Sequence, residues 1–159
     1  MFEYSSLYHE MGEKDGLQRL AARMYRYNAL DRRISRFFEI GMISHFENMF
    51  VIFLTGLLGG APYNRKSMVY CHRRINLGDE HFDAFLENLT VAMRHEQLSQ
   101  DIIDRLLELI GQTRDDVCGR STLRPPSDPK ACPFQQPTSE KHPQHEFKPS
   151  PTLCPCVIQ

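Results

Sequence analysis

The sequence predicts an all-α fold, and two observations support that prediction. Apolar side chains recur at helical spacing through most of the first 120 residues, and no segment alternates in the manner of a β-hairpin. The balance of 19 Lys and Arg against 20 Asp and Glu provides no basic face for nucleic acid. We therefore expect a soluble helical domain that does not bind nucleic acid.

The first two helices are predicted on either side of a glycine. A serine pair at 5–6 can cap a short first helix that ends at Gly12. From Asp15 onward, apolar residues at helical spacing define a second helix. Its inward stripe includes two polar members, Tyr25 and Asn28, which we expect to be buried.

The third helix is predicted to be the most apolar. Asp31 can cap a short turn that leads to Phe38, and Ser44 is the expected cap of the helix itself. The inward stripe of this helix consists of Phe46, Met49, Phe50, Phe53, Leu54 and Leu57. The helix should end at the glycine pair 59–60, because Pro62 cannot continue it.

A helix from Tyr63 to Ile75 should place Met68, His72 and Ile75 on one apolar face. A neutral imidazole in such a place needs partners for its ring nitrogens, because an unpaired buried polar group costs about 1 to 3 kcal/mol. A backbone carbonyl, a water or a metal ion would each serve. The residues alone leave these alternatives open.

Two further helices complete the predicted domain. A break at 77–79 precedes a long helix, and the last helix runs from about Ser99 to Val117. His81 is expected at the surface or at a helix end. Beyond it, nine of the ten prolines occur, and no apolar stripe offsets the entropy of ordering. We therefore expect a helical domain at 1–120 and a disordered tail at 121–159.

Four short motifs follow one another in a characteristic order: Phe37-Phe38, Leu58-Gly59-Gly60, Ser67-Met68 with His72, and His81-Phe82-Asp83-Ala84. Each motif is weak by itself, but their order and spacing together are specific. Over residues 6 to 118 the chain resembles the group 1 truncated haemoglobins. The resemblance implies a truncated globin fold, in which a two-on-two helical sandwich surrounds haem b.

The resemblance also implies roles for particular residues. His72 would be the proximal ligand of the haem iron, and Tyr25 would act catalytically as the distal hydrogen-bond donor. Cofactor contacts are expected from Phe38, Phe46, Phe50, Met68 and Arg65. Arg65 is included because a guanidinium there could pair with a haem propionate.

The distal helix departs from the family pattern. Relatives commonly carry glutamine at one or both ligand-facing positions, whereas this chain has Phe46 and Phe50, so Tyr25 remains the expected donor. An internal sixth iron ligand, His45 or Met49, is the weaker alternative. Helix geometry turns His45 away from the distal face, and a methionine there can simply fill a gap.

The sequence leaves three functions open. The resemblance implies that the chain binds oxygen, nitric oxide and carbon monoxide, and it allows nitric oxide dioxygenation supported by an unidentified external reductase. The second possibility is a haem-based gas or redox sensor that signals through its tail. The third is a helical interaction domain that has lost the cofactor.

The chain ends in Cys156-Val157-Ile158-Gln159, which matches the Cys-aliphatic-aliphatic-X pattern of farnesylation. One lipid chain gives only marginal membrane binding, so a second acyl chain on Cys154 would be needed for stable attachment. The first residues contain no apolar run, so we expect no secretory signal there. We expect a cytoplasmic protein, with peripheral membrane attachment through Cys156 weighed equally against a chance match.

Deletion of residues 121–159 should leave folding and haem binding intact, because the predicted core lies entirely upstream. The thermal midpoint and the haem absorption spectrum of the truncated and full-length chains should therefore agree. Loss of haem on truncation would contradict this division of the chain.

Overall fold

The structure, a computed structural model, describes residues 3–59 and 65–123, without the side chains of residues 3–5, 65 and 67. The described residues form seven α-helices and two short 3-10 helices, with no strand among them. The α-helices are α1 (Glu3–Glu10), α2 (Glu13–Leu30), α3 (Ile43–Leu57), α4 (Arg65–His72), α5 (Asp79–His95), α6 (Gln100–Gly111) and α7 (Arg114–Val117). The prediction of an all-α fold is confirmed.

Helix α2 is the centre of the packing. It lies against both α3 and α5, and α5 in turn packs against α6. The buried stripe of α2 consists of Gly16, Leu17, Leu20, Ala21, Met24, Tyr25 and Asn28. Full burial of a leucine or methionine side chain contributes about 1.5 to 3 kcal/mol, so this stripe is a main source of the stability of the domain.

The turn from α1 into α2 depends on two glycines. Gly12 adopts φ +81°, in the left-handed region that favours glycine. Gly16 lies so close to α1 that a Cβ there would be 1.8 Å from the carbonyl oxygen of Met11. Glu13, between them, also has a positive φ of 54°, which a non-glycine residue adopts at a cost of about 1 to 2 kcal/mol.

A polar network ties the end of α2 to α5. The side-chain amide of Asn88 donates to Asn28 Oδ1 and to Asp31 Oδ2, each at 3.0 Å. Arg33 pairs with Asp31 at 2.8 Å and with Glu87 at 2.7 Å. The Arg33 guanidinium is the main reason why the pKa of Asp31 falls to about 2. As predicted, Asn28 is buried and Asp31 accepts a bond from the next turn, the backbone N–H of Arg33 at 3.0 Å.

Three predicted helix boundaries are wrong. Helix α1 begins at Glu3, so the serine pair at 5–6 lies inside the helix and is not its cap. Ser44 lies inside the first turn of α3, because the 3-10 helix Ile40–Met42 leads directly into α3. The N-cap residue is therefore Met42, whose side chain forms no capping hydrogen bond. The predicted helix up to Ile75 ends three residues earlier, at His72. The predicted start near Ser99 is confirmed, because Ser99 is the N-cap of α6 and its hydroxyl accepts from the backbone N–H of Ile102 at 3.4 Å.

The predicted last helix is divided into α6 and α7. The chain turns at Thr113, whose hydroxyl donates to the carbonyl of Ile110 at 2.7 Å. Helix α7 is then attached to α5, where Arg114 pairs with Asp79 at 3.0 Å and with Asp83 at 2.6 Å. The same guanidinium lies 4.6 Å above the ring of Phe82, so the division lets α7 cover that ring.

Ile40–Leu57 is the one described segment that is apolar and long enough, by length and composition, to cross a membrane. Its α-helical part has 15 residues and spans about 22 Å, less than the ~30 Å hydrocarbon core of a bilayer. Phe50, Val51 and Leu54 are buried in the core that α3 shares with α2.

Three parts of the chain lie outside the described residues, 1–2, 60–64 and 124–159. The expected helix start at Tyr63 and the expected lipidation at Cys156 both fall there. The domain division at 120 and the membrane attachment therefore stay predictions.

Gly16→Ala should lower the free energy of unfolding by about 1 to 3 kcal/mol, because its Cβ forces α1 away from α2. Gly111→Ala is the matched control, since a Cβ there has no neighbour within 4 Å, and it should stabilise by about 0.4 to 1 kcal/mol. Urea unfolding of the two variants measures both changes. Equal changes would show that the Met11 contact does not limit this turn.

Candidate functional site

A cavity of about 400 Å³ lies among α2, α3, α4 and α5, in the size range of small-molecule sites. Its wall is mainly apolar, and seven phenylalanines contribute to it: Phe37, Phe38, Phe46, Phe50, Phe53, Phe82 and Phe85. Several of these rings contact one another, as Phe50 does with Phe85 at 5.7 Å between ring centroids. The cavity therefore suits a large ligand with extensive aromatic surface.

His72 lies at the end of α4 and lines this cavity. Its Nδ1 is 2.8 Å from the carbonyl oxygen of Met68, one turn earlier in the helix. A carbonyl can only accept, so Nδ1 carries the hydrogen and Nε2 holds the lone pair. Burial lowers the pKa of His72, although the Met68 bond partly opposes this. The result is a neutral imidazole with the tautomer that can bind a metal ion through Nε2.

Tyr25, on α2, lines the same cavity within a cage of three rings. Phe38 and Phe50 meet it edge-on, at 5.4 and 6.1 Å, and Phe46 stacks on it at 6.1 Å. The hydroxyl forms no hydrogen bond with the described residues. Burial raises the pKa of Tyr25 well above its ordinary value, and the nearby Glu47 carboxylate adds to the shift. Tyr25 therefore stays protonated and keeps its O–H for a ligand in the cavity.

The two other side chains considered for the distal side are separated by the structure. Met49 lines the cavity, whereas His45 is not part of its wall and packs against Phe46 at 6.1 Å between centroids. This placement agrees with the helix geometry that turned His45 away. The α3 wall of the cavity thus presents phenyl rings and one thioether.

Six of the seven predicted site residues line the one cavity: Tyr25, Phe38, Phe46, Phe50, Met68 and His72. The seventh, Arg65, begins α4, and its side chain lies outside the described part of the structure. Their individual roles toward a cofactor stay predictions. Ile75 also lines the cavity, although it follows the end of α4.

Several polar wall residues were not predicted, namely Tyr70, Arg74, His81 and Thr113. Of the two places expected for His81, the surface or a helix end, the structure shows the helix end: it lies in the first turn of α5, and its side chain is only 12% exposed. A signal was present in the sequence: His81 is the third residue of a helix that begins after a glycine, a position whose side chain can bond back to the backbone.

Among the described residues, no group of three or more His, Cys, Asp or Glu side chains could hold a metal ion. A metal bound at His72 would need its other ligands from elsewhere. A macrocycle that brings its own equatorial nitrogens meets that need, and its flat aromatic surface matches the phenyl-lined wall. The residues present therefore fit a haem.

Comparisons with known proteins agree with this geometry. The family model described as bacterial-like globin matches residues 6–118. A group 1 truncated hemoglobin from Tetrahymena pyriformis is 29% identical over 116 residues, which cover 72% of this chain and 96% of the relative. Its counterpart from Tetrahymena thermophila is 29% identical over 121 residues, covering 76% and 100%.

Solved structures give the same result. The truncated hemoglobin of Tetrahymena pyriformis in its Fe(III) form superposes with a TM-score of 0.65 at 30% identity, over 71% of this chain and 97% of that one. The 2/2 hemoglobin of Synechococcus sp. PCC 7002, in the cyanomet state with covalently attached heme, gives 0.66 at 30% identity, over 72% and 98%. The fold of the described domain is thus that of a truncated haemoglobin, as the sequence motifs implied.

Proposed function

This chain belongs to the bacterial-like globin family, and from that premise we propose that it binds oxygen at haem and uses it to convert nitric oxide to nitrate. Haem is its cofactor, and a diatomic gas is its ligand. The observation that supports the finer proposal is the arrangement of one cavity, which has a neutral His72 and a protonated, otherwise unbonded Tyr25 within an apolar wall.

Haem, when bound, would supply an iron that can take a diatomic ligand. His72 would hold the iron through Nε2, and the Met68 carbonyl keeps the ring in that tautomer. Phe38, Phe46 and Phe50 would exclude water from the ligand side, since all three line the cavity. Exclusion of water limits access of protons, which slows loss of the ligand by oxidation.

Tyr25 would donate its O–H to the bound ligand. The rings around it cannot donate, and the cage that they form keeps the hydroxyl from other partners. A hydrogen bond to a partly charged acceptor contributes about 1.5 to 3 kcal/mol. Tyr25 would therefore favour oxygen, on which negative charge develops, over the less polar carbon monoxide.

The apolar wall also favours turnover. Conversion of oxygen and nitric oxide to nitrate would take one electron from the cofactor, and an external reductase would have to return it. Nitric oxide is nearly apolar and enters such a cavity at little cost. Nitrate is an anion, and the cost of keeping an unpaired charge among phenyl rings favours its release.

Tyr25→Phe should raise the oxygen dissociation rate by about 10- to 100-fold, through loss of one hydrogen bond to a charged acceptor. Phe50→Gln should lower the rate, because an amide on the cavity wall adds a donor. Rapid-mixing measurements give both rates, and carbon monoxide dissociation serves as the internal control that should change little. If Tyr25→Phe stays within about twofold of the parent, Tyr25 is ordinary core and not the donor.

The oxygenated protein mixed with an equimolar amount of nitric oxide should give an equimolar yield of nitrate and the ferric spectrum. His72→Ala, which removes the proposed iron ligand, should lose the haem absorption band and with it the reaction. Oxygen binding without nitrate formation would reject the dioxygenase and leave a carrier or a sensor.

A further inference from the structure

His81 has a tautomer that the backbone fixes. The backbone N–H of Gly78 donates to His81 Nδ1 at 2.9 Å, so Nδ1 must hold a lone pair. In a neutral imidazole the hydrogen is then on Nε2. His81 therefore presents an N–H donor from its Nε2 side, and its ring lines the cavity.

The neighbour of that N–H is another donor. Nη2 of Arg36 lies 3.1 Å from His81 Nε2, and a guanidinium has no acceptor atom. Two N–H groups thus face each other with no acceptor between them. Arg36 forms no ion pair with the described residues, and the carboxylate of Glu80 lies on the other side of the ring, 3.5 Å from Nδ1.

Phe37 keeps the two donors in place. The Arg36 guanidinium stacks 4.8 Å from the centre of the Phe37 ring, and the His81 ring meets the same phenyl edge-on at 5.0 Å. The His81 side chain is only 12% exposed, so it cannot turn freely to water. His81 lines the cavity and Arg36 is exposed, so the pair places two donors at the edge of the cavity, with room for an acceptor.

We propose that Arg36 and His81 together bind one carboxylate side chain of the haem. A carboxylate has two oxygens, one for the guanidinium and one for Nε2–H, and bonds of this kind are about twice as strong as neutral ones. A haem bound beside His72 would occupy the cavity that His81 lines, so its carboxylates would be the acceptors at hand. This anchor is separate from Arg65, the residue expected from the sequence to pair with a propionate, and it does not depend on the oxygen chemistry proposed above.

The test compares haem with haem dimethyl ester, which has the same ring and iron but no carboxylates. Each is loaded into the full-length protein, and its transfer to excess apomyoglobin is followed by absorbance. Arg36→Gln should release haem about 3- to 10-fold faster than the parent, in line with one partly exposed charged hydrogen bond. It should release the ester at the parent rate. Arg32→Gln, an exposed neighbour with the same loss of charge, should change neither rate.

His81→Ala provides a second variant with the same expected difference between haem and ester. Because it also removes the bond from Gly78, urea unfolding of its apoprotein separates a folding defect from a lost anchor. Equal acceleration of haem and ester release in Arg36→Gln would overturn the proposal, as would an unchanged rate of haem release. Neither result would alter the oxygen dissociation rates that test Tyr25.

Discussion

The burial of one face of α2 against both α3 and α5 is the constraint on which the rest of the structure depends. Leucines and Met24 fill that interface, and Gly16 lets α1 close over its beginning. The same stripe carries Tyr25 into the cavity. A tyrosine placed by a fully packed helix has little freedom, and that rigidity is what a hydrogen-bond donor to a small ligand needs.

Two histidines on the cavity wall show how a backbone partner decides the chemistry of a side chain. His72 donates from Nδ1 to the carbonyl of Met68, so its Nε2 keeps a lone pair suited to a metal ion. His81 accepts at Nδ1 from the N–H of Gly78, so its Nε2 is a donor suited to an anion. The two rings thus have opposite tautomers, which match the iron and the carboxylates of one cofactor.

The distal wall combines a single donor with phenyl rings, and this has a cost as well as a benefit. Phe46 and Phe50 line the cavity, so in the proposed function a lost Tyr25 bond would have no substitute on α3, and ligand retention would rest on one hydroxyl. The same wall excludes water and disfavours a charged product. An added amide would hold oxygen more firmly but would also bring a polar group into the path of release.

Local pattern determined much of this protein. Helical periodicity, the glycine breaks and the Ser99 cap all follow from neighbours in sequence, and the motifs around His72 and Phe38 pointed to the site. The boundary at Ser44, the turn at Thr113 and the burial of His81 did not follow, because each depends on a contact with another element. Only the packing of α2, α3, α4 and α5 brings Tyr25 and His72 to one cavity, and only the approach of the turn at Phe37 to the start of α5 sets Arg36 against His81. Periodicity fixes which face of a helix is apolar, but the partner that this face meets is decided by packing across the whole chain.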